Sequence, residues 1–209
     1  MTKPKIYTFL SGVLLFSLFV LYSYLVHKNL FTGLDFDTTV RLQDKISQIF
    51  NTPFSLLSLM GSFEIVSFIL FILWVITRKL RFIFTLFSFV AIHVFELFGK
   101  MFVTHPGPPY LFVRYDIPFS FPSSYVQPGS SYPSGHLART LFLSVIISFL
   151  ILRSKRFSSV QKKLLYCSIV IIVVLMFISR IYLGEHWLSD VLGGGLLGAS
   201  FGFLSLAFF

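Results

Sequence analysis

The sequence predicts an all-α, polytopic membrane protein, a bundle of six transmembrane helices with one short helix lying on the interface. Three observations predict it. Of 209 residues, 56% are hydrophobic, 19% aromatic and only 12% charged, where soluble domains carry about 25% charged and about 45–50% apolar residues. Twenty-eight phenylalanines are more apolar bulk than a water-soluble core of this size can hide. Six stretches stay apolar over roughly the 20 residues that cross a hydrocarbon core. A cytosolic enzyme, a disordered chain and a disulfide-stapled secreted domain are thereby excluded. The single cysteine, Cys167, lies in an apolar run and says nothing about redox compartment. The whole chain, 1–209, reads as one membrane domain.

The spans are expected at about 6–26, 52–77, 82–104, 136–152, 164–183 and 188–209. Lys3 and Lys5 precede the first. It is too long for a signal-peptide core and no small-x-small cleavage site follows, so it reads as a span. Between the first two spans, Leu42, Ile46, Ile49 and Phe50 recur at helical spacing while Arg41, Asp44, Lys45 and Gln48 fall elsewhere. That pattern predicts an amphipathic interfacial helix over about 37–50, a scaffold element capped by Asp37 or Thr38. An outer loop is expected over 105–135, rich in Tyr and Phe and interrupted by Pro109, Pro118, Pro122 and Pro128. It reads both as an interfacial aromatic belt and as a rim that admits a lipid.

Orientation follows from charge. Lys3, Lys5, Arg78, Lys79, Arg81, Arg153, Lys155, Arg156, Lys162 and Lys163 share one side of an even-numbered topology, and no acidic residue joins them. The positive-inside rule makes that side cytoplasmic, with both termini on it. The net charge of +9 is therefore a topology signal, and no nucleic-acid partner is expected.

Ionisable groups inside spans are costly and call for a reason. His93, Glu96 and Lys100 lie on one face of the third span, with Glu96 and Lys100 at the favourable spacing of four. Glu64, in the second span, is expected to bond another helix. In the sixth span, Gly193–Gly198 formally matches GxGxxG, but no strand precedes it. Gly194, Gly198 and Gly202 instead repeat every four residues, the close-packing pattern of membrane helices.

Three segments bring polar density to the outer side: Lys100–Pro109, Pro133–His136, and Ser179–Arg180 with His186 and Asp190. Lys100, Arg180 and Arg139 are cations with no surplus of acid nearby in sequence, suited to an anion. Ser134 and the first amides of the fourth span make a helix N-terminus, a natural phosphate site. His186 and Asp190 are four apart, so the carboxylate can hold one imidazole nitrogen and leave the other as a nucleophile. His136, on a different span, is placed to protonate a leaving oxygen. Neither a carboxylate cluster for Mg²⁺ nor a Cys/His set for zinc is present in the sequence, so no metal and no cofactor are expected.

Lys100-x6-Gly107-Pro108, Pro133-Ser134-Gly135-His136 and Ser179-Arg180-x5-His186-x3-Asp190 together resemble the three-part signature of the type 2 phosphatidic acid phosphatase family. That signature reads Lys-x6-Arg-Pro, Pro-Ser-Gly-His and Ser-Arg-x5-His-x3-Asp, and the resemblance covers roughly residues 30–209. It implies that His186 attacks phosphorus to give a phosphohistidine, that Asp190 holds and polarises it, and that His136 is the general acid. Lys100, Ser134, Gly135 and Arg180 would hold the phosphoryl oxygens, with no metal. The arginine of the first motif is replaced here by Gly107, and His105 and Arg139 are the two candidates to supply the missing cation.

The expected function is dephosphorylation of a lipid phosphate or diphosphate on the outer face of a bacterial cytoplasmic membrane. Candidate substrates are a polyprenyl diphosphate such as undecaprenyl diphosphate, phosphatidylglycerophosphate and phosphatidic acid. Two other readings use the same residues: a lipid phosphotransferase, and a non-catalytic lipid-binding protein. Nothing in the sequence specifies the lipid or the oligomeric state.

Overall fold

Backbone inside lipid finds no water, so a chain this apolar must close its N–H and C=O groups within helices. The computed structural model, which describes residues 3–122 and 129–208, holds eight helices among them. These are α1 (Lys3–His27), α2 (Thr32–Lys45), α3 (Asn51–Leu59), α4 (Phe63–Thr77), α5 (Ile83–Phe102), α6 (Gly135–Arg153), α7 (Ser159–Tyr182) and α8 (Leu188–Ala207). Five helices are long and apolar enough to cross a membrane, and the bent pair α3–α4 makes a sixth crossing when taken as one.

Helix α8 is the axis, packed against α1, α5 and α6 and touching α2 and α7. Its glycines permit this. A Cβ on Gly194 would collide with the Ser134 carbonyl, one on Gly198 with the Ala138 carbonyl, and one on Gly202 would press on Val145. The expected close-packing stripe therefore faces α6. Apolar side chains of the other helices, among them Phe19, Leu70, Phe89, Phe142 and Ile146, fill the core with Leu197. The stripe draws α6 and α8 together at their N-terminal ends, where the Ser134 N–H donates to the Asp190 carbonyl at 2.9 Å.

Two elements differ from expectation. The second span is not one helix: it breaks at Met60–Ser62 and bends by 45°. Ser62 caps α4 by accepting from the Ile65 N–H, and the carbonyl of Gly61 accepts from Arg139 Nε at 2.8 Å. The break thus delivers a backbone acceptor to a buried cation. The helix expected over 37–50 runs over Thr32–Lys45, so Asp37 and Thr38 lie inside it instead of capping it. Ile49 and Phe50 belong to a following 3-10 turn and are exposed. Its inward face is polar. Asp35 and Thr39 are buried, and Gln43 Nε2 donates to the carbonyls of Phe112 and Tyr182 at 2.7 and 2.8 Å. Leu34, Phe36 and Val40 are the large hydrophobic residues that this helix leaves exposed.

In the outer loop, Tyr110 and Leu111 are exposed, while Phe112 is buried against the Trp187 ring. Pro128 and the rest of 123–128 lie outside the described residues.

Candidate active site

The turn from α7 to α8 is made by Gly184, whose φ of +69° suits glycine. A Cβ there would collide with the Phe112 carbonyl. The turn folds His186 back over α7, so that its N–H donates to the Arg180 carbonyl at 3.3 Å. Asp190 stands in the first turn of α8, and its Oδ2 accepts the Trp187 N–H at 2.8 Å, tying down the helix start. His186 Nδ1 lies 3.6 Å from the same oxygen, longer than a hydrogen bond, and has no other partner. Nε2 is therefore the nitrogen turned away from Asp190. Burial depresses the His186 pKa, Asp190 pulls it up and Arg180 pushes it down; the net value is below the usual 6.5. At neutral pH the imidazole is uncharged, as a nucleophile must be.

Ser134 occupies the N-cap position of α6, yet its hydroxyl caps nothing and is buried without a partner. An uncapped helix start with a spare hydroxyl suits an anion. His136 follows one turn-step later, half-buried, in the field of Arg180, Arg139, His186 and Lys100.

The cations have acidic neighbours, and the Glu96–Lys100 pair expected from the spacing of four is among them. Lys100 Nζ lies 3.1 Å from Glu96 Oε1, and Arg139 donates to Glu96 Oε2 at 2.9 Å. Glu96 sits so close to the start of α6 that a Cβ on Gly135 would collide with it. His93 completes this group, with Nδ1 on the Phe89 carbonyl at 2.9 Å and Nε2 3.4 Å from Arg139. Glu64 lies in the field of Arg139. Arg180 pairs with Glu185 and Ser58 but keeps a buried Nε without a partner.

The two candidates for the missing arginine are likewise engaged. Arg139 is held by Glu96 and Gly61. His105 Nδ1 lies 2.9 Å from Asp190 Oδ1, and its Nε2 3.6 Å from Asp35 Oδ2. Burial lowers the His105 pKa, but the two carboxylates outweigh it and raise it to about 9. Asp35 itself accepts from the N–H and hydroxyl of Ser189, both at 2.8 Å.

Asp35, Glu185 and Ser58 were missed as site residues. Asp35, Thr39 and Gln43 recur every four residues, a polar stripe that could have revealed the first. The partners of Glu185 and Ser58 left no comparable signal. Among the described residues, no group of three or more His, Cys, Asp or Glu side chains is placed to hold a metal.

The architecture matches the crystal structure titled as the first transmembrane PAP2 type phosphatidylglycerolphosphate phosphatase from Bacillus subtilis. The TM-score is 0.77 at 23% identity, over 95% of each chain. The crystal structure of Aquifex aeolicus LpxE matches with a TM-score of 0.62 at 21% identity, over 83% of this chain and 94% of that one. At such identities the likeness is one of fold. Phosphatidylglycerophosphatase B of Bacillus subtilis (strain 168) is 40% identical over 78 residues, 37% of this chain and 38% of that protein. The match thus spans well under half of that relative. The PAP2 superfamily model matches residues 78–209, the stretch that contains Lys100, His136, Arg180, His186 and Asp190. By that match, the chain belongs to the PAP2 superfamily.

Proposed function

We propose that this protein is a metal-independent lipid phosphate phosphatase that works through a phosphohistidine on His186. The observation that carries the reading is a set of buried polar atoms without partners, Ser134 Oγ, Arg180 Nε and His186 Nδ1. They come from three elements linked by the Ser134–Asp190 and His186–Arg180 backbone bonds. Left empty, such atoms are costly; a phosphoryl group supplies acceptors for Ser134 and Arg180. His186 Nδ1–H then points to Asp190.

Chemically, the Nε2 lone pair of His186 attacks phosphorus and the P–O bond to the lipid breaks. A proton from His136 goes to the departing oxygen. Water then attacks the phosphohistidine, His136 takes its proton, the P–N bond breaks and inorganic phosphate leaves. Lys100, Ser134, Gly135 and Arg180 hold the phosphoryl oxygens through both steps, where charge develops. The charge asymmetry of the loops supports an extracytoplasmic site and cytoplasmic termini. Reporter fusions at Phe157 should then read cytoplasmic, and those at Phe119 external. The names of the relatives support phosphatidylglycerophosphate as the first substrate to try. Phosphate release from phosphatidylglycerophosphate, phosphatidic acid and undecaprenyl diphosphate, each with and without EDTA, tests the reading. Release that survives the chelator is expected. Loss restored by Mg²⁺ would contradict it.

A further inference from the structure

His105 lies in the loop that should supply the missing phosphate-binding arginine, yet its surroundings turn it elsewhere. One ring nitrogen lies 2.9 Å from Asp190 Oδ1 and the other 3.6 Å from Asp35 Oδ2. The residue is buried, so neither nitrogen is available to a substrate. Nor can the loop swing. The His105 carbonyl accepts from Ser131 N–H at 3.0 Å and from the Ser131 hydroxyl at 3.2 Å, and the Trp187 indole donates to the Pro106 carbonyl at 2.8 Å.

What this arrangement does is fix Asp190. Its Oδ2 takes the Trp187 N–H and its Oδ1 takes His105, so the carboxylate cannot rotate. The oxygen facing His186 Nδ1 stays in place. Asp35 faces the other nitrogen of His105 as an ion-pair partner at 3.6 Å, and is itself fixed by two bonds from Ser189. We infer that Asp35 and His105 are positioning residues for catalysis, which hold Asp190 in the one orientation that presents Oδ2 to the nucleophile His186. The inference rests on the reading of His186 as nucleophile and deepens it. The chain Asp35–His105–Asp190–His186 joins α2, the loop after α5, α8 and the turn before it. It therefore gives α2, outside the stretch matched to the family, a part in the chemistry. The titratable groups facing His105 are Asp35 from α2 and Asp190 from α8. Tyr22 of α1 lies in the field of both, and Tyr132 in that of Asp190.

The test is a mutant cycle on the full-length protein in detergent, with a short-chain phosphatidic acid as substrate. His105→Ala should lower kcat by about 10–100-fold, the usual cost of removing an outer orienting group, with KM unchanged. His105→Asn, whose amide can donate near the Nδ1 position, should recover most of the loss. In an Asp190→Ala background, His105→Ala should cost nothing further, because its only route to the reaction has gone. A raised KM at unchanged kcat, or the same fold-loss in both backgrounds, would overturn the inference and return His105 to the phosphate.

Nitrogen-15 spectra of the histidines add a readout that does not depend on turnover. One imidazole should stay cationic up to about pH 9. It should vanish in His105→Ala and titrate lower in Asp35→Asn. If no histidine titrates above neutrality, the cluster does not exist as described. If the cluster titrates as expected but wild type forms neither product nor phosphoenzyme, the catalytic reading fails and takes the role of the cluster with it.

Discussion

Two buried carboxylates, Glu96 and Asp190, each gather two basic side chains, and they differ in what they hold. Glu96, on α5, takes two permanent cations, Lys100 and Arg139. Asp190, on α8, takes two imidazoles, His105 and His186. Each reaches one partner at a spacing of four along the chain and the other from a distant element. The Glu96 group joins one carboxylate to two permanent cations, which on the proposed mechanism make a charge frame for an anion. The Asp190 group joins a neutral histidine to a charged one, so it can respond to a reaction. On the proposed mechanism the same side-chain chemistry would serve binding in one group and turnover in the other, and the partner types make the difference.

Breaking the two carboxylates should therefore give different phenotypes. Asp190→Asn is expected to lower kcat by about 10⁴-fold, the loss that follows when a carboxylate orienting a catalytic histidine is neutralised, with modest change in KM. Glu96→Gln leaves Arg139 buried without its counter-charge, and should cost roughly 3–5 kcal/mol of stability. It should also raise KM as Lys100 loses its anchor, with a smaller fall in kcat. Thermal unfolding in detergent together with steady-state kinetics separates the two. A fall in kcat alone for Glu96→Gln would erase the distinction.

Acid sensitivity sharpens the contrast. A nucleophile must be unprotonated, and burial keeps the His186 pKa below 6.5. The acid limb of kcat/KM should therefore lie below that value. Asp190 raises that pKa, so Asp190→Asn should move the limb to still lower pH, while Glu96→Gln should leave it in place. A limb at or above pH 6.5 in wild type would put the nucleophile elsewhere.

The smallest expected effect concerns Gly107. Its Cβ direction meets only Ser131 at ordinary distance, so Gly107→Arg should be tolerated and its effect on kcat/KM modest. With His105 engaged by two carboxylates, that effect should be the same in wild type and in His105→Ala. A gain confined to the His105→Ala background would mean that His105 had been standing in for the arginine.

The sequence made the apolar spans and the second and third motifs readable because both are short-range properties. Hydropathy is local, and His186 and Asp190 are four residues apart. What stayed hidden depended on distant partners or on averages. A long apolar window passes over Gly61 and Ser62, so the bend of α3 against α4 did not register, although both residues are break signals. The periodicity of Leu42, Ile46, Ile49 and Phe50 predicts a helix over about 37–50, later in the chain than the polar stripe that α2 turns inward. At a membrane the water-soluble rule of an apolar inward face can invert, and Asp35, Thr39 and Gln43 turn in while Leu34, Phe36 and Val40 turn out. His105 looked like a replacement cation because its own loop is all that the sequence displays. Its two partners lie 70 and 85 residues away (Asp35 and Asp190), and no local pattern announces them.

The covalent step on His186 can be trapped directly. Wild-type protein quenched during turnover of ³²P-labelled phosphatidic acid should carry label that is acid-labile and alkali-stable, as a phosphohistidine is. His186→Ala should carry none. Label that persists in His186→Ala, or label that survives acid, would contradict the account.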